Sequence, residues 1–227
     1  MKTQESMSKM GTTKVNKLML TMGIPMILSM ALAFLFHLRY NKEIKNRISY
    51  IKPEGKIVGG IYAIGLRDAI TPIVSFNHGM RSRSRVLEGI KYGLLYTLGI
   101  MAVGLLLLEG FAGPLLETFG LSKETRGLCI SAMRIISVSF LFAGANIAFQ
   151  GIFQALDSGV ESLILSVCRQ LVFVLPVAWG LAEIAAASSE KVWLVWWTFP
   201  VAEAATAVIA CVLMKRIQRK KIQGLEG

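Results

Sequence analysis

IISVSFLFAGANIAFQGIFQAL, residues 135–156, is a run of twenty-two residues without a formal charge, and its reading decides the class of the whole chain. At about 1.5 Å per residue, a helix of that length crosses a hydrocarbon core of about 30 Å. Within the run Asn146, Gln150 and Gln154 recur every fourth residue, and Asp157 follows three later. A continuous helix therefore stacks four polar side chains on one face. In hydrocarbon that face needs partners or water. Two readings stand side by side: hydrogen bonding between helices, each bond contributing about 1 kcal/mol, or the wall of a polar path through a membrane bundle. Gly144 and Gly151, with Ala143, Ala145 and Ala148, add small surfaces where another backbone can approach closely.

Composition points the same way. Of 227 residues, 54% are hydrophobic and 17% charged, with a mean hydropathy of +0.56, which is too apolar for an ordinary soluble domain. The net charge of +11 sits in short basic blocks between apolar runs, the pattern of loops held beside an anionic leaflet rather than of a nucleic-acid-binding surface. Cys129, Cys168 and Cys211 are far apart and have no histidine at ligand spacing, so neither a disulfide framework nor a metal site follows. No GxSxG, HExxH or phosphate-cradling glycine loop occurs. His37 and His78 lie at or near the ends of apolar segments, and an enzyme is not expected.

Working outward, four spans follow one another in the second part of the chain: residues 92–108, extending to about 113, then 135–156, 163–182 and 192–214. The third is the shortest in its apolar core. Arg169 leaves only residues 170–182 charge-free, so Arg169 either reaches along the helix to the interface or the helix continues through AEIAAA. The fourth has Trp193, Trp196 and Trp197 at one end, as in an aromatic belt, and Glu203 near its middle, three residues after Pro200. Glu203 reads either as a structural carboxyl bonded to a neighbouring helix or as a proton or cation site. Pro25, Pro176 and Pro200 mark expected helix bends.

The first part of the chain is less regular. A polar, basic tail at residues 1–17 leads into an apolar run at 18–38, too long for the core of a signal peptide. A basic stretch at 39–56 follows, then a weaker apolar segment at 57–79 that contains Arg67, Asp68 and Pro72, then the block Arg81, Arg83, Arg85 and Lys91. All three basic regions favour the cytoplasmic side, yet a single apolar segment separates each pair. A simple crossing by both segments is therefore inconsistent with the charge bias. From Arg81 onward the orientation is consistent, and KRIQRKK at residues 215–221 returns to the cytoplasm after four crossings.

AITPIVSFNHGMRSRSRVLEGIKYGLLYTLGI from residue 69, GLSKETRGLCISAMRIISVSFLFAGANIAFQGIFQALDSGVESLILSVCRQLVFVLPVAW from residue 120 and VWLVWWTFPVAEAATAVIACVLMKRI from residue 192 resemble the C-terminal helices of multidrug and toxic compound extrusion (MATE) transporters. Residues 14–30 resemble the start of that family's first helix. Residues 34–66 resemble the end of its sixth helix, its central cytoplasmic loop and the start of its seventh. The resemblance divides the chain into a tail (1–17), a first-helix remnant with the central loop (18–56) and a C-lobe-like bundle (57–227). It implies two internal junctions, one between residues 29 and 34 and one near Gly65-Leu66-Arg67, which account for the conflict among the basic loops.

The implied fold is an all-α polytopic membrane bundle with four clear spans and two doubtful N-terminal segments. The implied activity is antiport of small amphipathic organic cations against Na+ or H+ in the plasma membrane, with both termini cytoplasmic and no cofactor. The family works through two six-helix lobes, so the resemblance also implies that this chain is transport-inactive alone, or acts with a partner lobe or as a homodimer. Candidate pathway residues are Asn146, Gln150 and Gln154 on the family's tenth helix, Asn77 beside His78 on its eighth, and Glu203 on its twelfth. Asp157 stands where many relatives have glycine.

Overall fold

The computed structural model describes residues 12–17, 56–117, 123–186 and 189–225. The apolar run 18–38 with Pro25, and most of the basic stretch 39–56, lie outside them. The described chain is helical: α1 (Lys56–Gly79), α2 (Arg83–Glu117), α3 (Lys123–Ser137), α4 (Phe140–Ala155), α5 (Gly159–Val167), α6 (Val174–Ala186) and α7 (Thr198–Ile217). A π-helical turn at Cys168–Val172 joins α5 to α6, a 3-10 segment at Ser189–Trp197 leads into α7, and a second π-helical turn at Gln218–Ile222 follows it.

Among the described residues, three stretches are long and apolar enough to cross a membrane: Arg83–Pro114, Gly159–Ala186 and Trp193–Ile222. α3 and α4 pass the same test only as a pair, bent by 45° between them, which is the geometry of a broken span or of a re-entrant loop. Residues 135–156 are therefore not one straight helix, and the sequence itself supplies the reason. The hydroxyls of Ser137 and Ser139 bond back to the carbonyls of Arg134 (2.7 Å) and Ile136 (2.6 Å). The Ser139 amide also bonds to the Ile136 carbonyl at 3.0 Å. Such local bonds compete with the helical ladder and break it.

The far end of the run departs from expectation as well. α4 stops at Ala155, where the Asp157 amide bonds to the Gln154 carbonyl (3.2 Å) and the Ser158 amide to that of Phe153 (2.8 Å), the paired bonds of a Schellman cap. Asp157 takes the left-handed position of that cap with φ 52°, a conformation that suits glycine and is tolerated by aspartate. It leaves the helix and does not continue the Asn146–Gln150–Gln154 face. Lys221 completes the cap, its Nζ donating to the carbonyls of Leu156 and Asp157 at 2.7 Å each.

Two of the prolines expected at bends fall at changes of helix type. Pro176 and Pro200 are each the third residue of their α-helices, within the first turn, where a missing amide leaves no gap in the ladder. What changes at these places is pitch, from π to α before Pro176 and from 3-10 to α before Pro200. The Arg169 alternative resolves toward a long helix, because Gly159–Ala186 runs on through AEIAA.

Residues 57–79, read as a weaker apolar segment interrupted by Arg67, Asp68 and Pro72, form the helix α1, which carries Pro72 and the expected junction at Gly65-Leu66-Arg67 within it and is not among the stretches long and apolar enough to cross. Its charges meet each other, Arg67 Nη2 lying 3.1 Å from Asp68 Oδ1. α4 is the centre of the bundle and packs against α1, α2, α5 and α7. Ile70, Ile73 and Val74 of α1, Val86 and Ile90 of α2, and Phe149, Ile152 and Phe153 of α4 form one buried apolar cluster. The expected close approach at the small residues is realised. A Cβ on Gly144 would lie 2.5 Å from Met101 Cγ, and one on Gly151 would overlap Arg67 Cγ. Thr71 Oγ1 bridges that second crossing, 2.9 Å from the Arg67 carbonyl and 3.4 Å from that of Gly151.

Candidate functional site

The polar residues of α4 serve different neighbours. Asn146 faces α7 and is fully buried. Its Nδ2 donates to the Glu203 carboxylate at Oε2 (2.8 Å) and to the Glu203 carbonyl (3.0 Å). The other carboxylate oxygen, Oε1, accepts from Arg169 Nε at 2.6 Å. Arg169 lies on the π-helical turn at Cys168–Val172, so the cluster ties α4, the α5–α6 span and α7 to one another. The ion pair is largely enclosed, with side-chain exposures of 22% for Arg169 and 12% for Glu203. Both carboxylate oxygens are occupied, and the guanidinium balances their charge, which is how an ionised group is tolerated in a low-dielectric interior. The cluster leaves one polar atom unsatisfied. Asn146 Oδ1 is buried and has no hydrogen-bond partner among the described residues.

Four residues on, Gln150 is buried at 9% exposure. Its carbonyl accepts from Ser162 Oγ at 3.4 Å, whereas its side-chain amide has no partner among the described residues. Gln154 is exposed and donates from Nε2 to Ser162 Oγ at 3.3 Å. The predicted stripe is thus split between α7 at its Asn146 end and Ser162 of α5 at its Gln154 end.

Asn77 is not brought to this cluster. It is fully buried, donates from Nδ2 to the Ile73 carbonyl (2.7 Å) and accepts at Oδ1 from Arg85 Nε (2.8 Å). Arg85 also donates from Nη2 to the Thr13 carbonyl at 2.6 Å. This arrangement clamps the α1–α2 turn to residues 12–17, and Asn77 has both ends of its amide engaged there. The turn includes Arg81 with φ 54°.

Sequence reasoning named Glu203 without the residue that balances it. The signal was present: Arg169 and Glu203 are isolated opposite charges in consecutive apolar spans, and intramembrane charges pair. Ser162, which links Gln150 to Gln154, carried no such mark. Among the described residues no group of three His, Cys, Asp or Glu side chains is placed to hold a metal ion.

Solved structures of similar fold share this architecture. An inward-facing MATE family transporter of the MOP superfamily matches with a TM-score of 0.64 at 19% identity over 72% of this chain and 38% of that one. An outward-facing MATE family transporter matches at 0.62 and 18% identity over 96% and 45%. A MOP superfamily transporter from Pyrococcus furiosus matches at 0.63 and 20% over 95% and 44%. The chain thus covers less than half the length of each of these structures. A comparison with curated proteins returned no match. The MatE family model matches residues 56–179, more than half of the sequence. It takes in α1, the bent α3–α4 pair with its polar face, and Arg169, and on that match this helical membrane chain belongs to the MatE family.

Proposed function

We propose that this chain is a C-lobe-like helical half of a MATE-type efflux antiporter, which exchanges small amphipathic organic cations against Na+ or H+ across the plasma membrane only when a second lobe completes it. The second lobe is a partner chain or a second copy. Both termini face the cytoplasm in this reading, and no cofactor takes part. The observation that carries it is the side-chain amide of Gln150, a residue 9% exposed on the central helix α4, which has no partner among the described residues and is not among the buried unsatisfied polar atoms, so it stays accessible. A polar group in that setting favours contact with a solute or with water. Gln154, one turn away and exposed, extends the same surface.

Within this reading the five sequence candidates take unequal parts. Gln150 and Gln154 are the pathway groups. Asn146 and Glu203 act with Arg169 as a charge-balanced brace that holds α7 against α4, and Asn77 fixes the α1–α2 turn. Alternating access uses two lobes moving about a central path, and a single lobe offers only one wall. The purified chain, reconstituted in liposomes, is expected to move a fluorescent organic cation no faster than empty liposomes under either a Na+ or a proton gradient. Addition of an N-terminal MATE lobe is expected to give gradient-driven uptake that Gln150→Leu reduces. Gradient-driven uptake by the monomeric chain alone would overturn the requirement for a second lobe. Absence of uptake in both conditions, with insertion confirmed, would favour a transport-inactive membrane protein instead.

A further inference from the structure

α7 carries one face that no other part of the described structure covers. Val201, Val208 and Val212 are 45%, 65% and 62% exposed. Their spacings of seven and four residues put them on one stripe. From residue 201 to residue 212 such a stripe runs about 16 Å, close to the half-thickness of a hydrocarbon core. At its C-terminal end it opens into a recess of about 380 Å³ whose wall is almost wholly apolar, formed by Val212 and the aliphatic stems of Lys215, Arg216, Arg219 and Lys220. None of these four cations forms an ion pair among the described residues. Lys221, next in sequence, turns inward to the α4 cap, while Ile217 and Ile222 are buried beneath the recess.

We propose that this face is a binding site for an anionic phospholipid, whose acyl chain lies along the valine stripe and whose phosphate is held by Lys215, Arg216, Arg219 and Lys220. The retention of basic residues on one side of a membrane accounts for the charges in this segment. It does not account for their gathering on a single helical face that continues an uncovered apolar stripe. That order, an apolar track of one leaflet's depth ending in four cations without an ion pair among the described residues, complements the shape and charge of a phospholipid with a net negative headgroup. A protein occupant would have to supply both an apolar ridge and about as many acids at its end.

The test is binding of fluorescent-tailed phosphatidylglycerol to the full purified chain in detergent, with phosphatidylcholine, inorganic phosphate and unlabelled phosphatidylglycerol as competitors. Phosphatidylglycerol is expected to compete at least about tenfold better than phosphatidylcholine, at roughly fivefold per basic contact retained. Inorganic phosphate at equal concentration is expected to displace nothing, and added salt is expected to weaken binding. Lys215→Gln combined with Arg216→Gln, Arg219→Gln and Lys220→Gln is expected to abolish the preference while the helical circular dichroism stays unchanged. Lys215→Arg with Lys220→Arg is expected to keep it. Equal competition by the two lipids would overturn the proposal, as would retained preference in the neutralised variant or displacement by inorganic phosphate. A Val208→Cys crosslink between copies that is unaffected by added phosphatidylglycerol would assign the stripe to a second copy and overturn it as well.

Discussion

Asn77 and Asn146 are both fully buried asparagines on apolar helices, yet they sit in opposite circumstances. Asn77 has its donor on the Ile73 carbonyl of α1 and its acceptor on Arg85 of α2, on either side of the α1–α2 turn. Asn146 directs its donor to a carboxylate on another helix, and its own oxygen has no partner among the described residues. The first is a closed local device, whose loss exposes a turn. The second belongs to a network whose stability depends on a charge pair, Arg169 with Glu203, that bridges three parts of the bundle. Burial alone does not separate these roles. The destination of each hydrogen bond does.

The largest expected effect breaks the second region. Arg169→Ala leaves the Glu203 carboxylate enclosed without its counter-charge and is expected to cost about 3–5 kcal/mol, read as a fall in the thermal midpoint of the detergent-solubilised protein. Arg169→Leu combined with Glu203→Leu removes both charges and is expected to recover most of that loss. If the double variant were no more stable than Arg169→Ala, the pair would not be the source of the effect.

The two asparagines are separated directly by substituting leucine at each. Asn77→Leu takes an acceptor from Arg85 and is expected to cost about 1–3 kcal/mol. Asn146→Leu removes the amide that donates to both the Glu203 carboxylate and its carbonyl, but it also removes an unsatisfied buried oxygen and leaves the Arg169 pair in place, so its cost is expected to be the smaller of the two. Paired thermal-unfolding curves check the order, and a larger loss at Asn146 would contradict the contrast drawn between them. The smallest effect lies at the end of α4. Asp157→Gly relieves a left-handed backbone and is expected to raise stability by up to about 1 kcal/mol, visible as a small upward shift of the same midpoint.

Asp157 sits at φ 52°, a position that glycine adopts without strain, and the resemblance to MATE helices led to the expectation of a glycine there. What could not be read was that the polar repeat would end before it, because a period of four continues in sequence whether or not the helix does. The same holds at the other end. Residues 135–156 are charge-free throughout, but the break at 138–139 depends on where two serine hydroxyls turn.

Length and apolarity, as properties of the chain itself, determined that this is a helical membrane protein with three to four candidate spans among the described residues, since the thickness of hydrocarbon sets the span and the cost of exposed backbone requires helices. The order of its motifs was enough to resemble the MATE family. Which polar groups meet was decided only by tertiary structure. Arg169 and Glu203 are 34 residues apart in sequence, and their pairing depends on how α7 and the α5–α6 span pack on α4. A hydrogen bond needs distance and direction together, and no spacing along the chain specifies either across a helix interface.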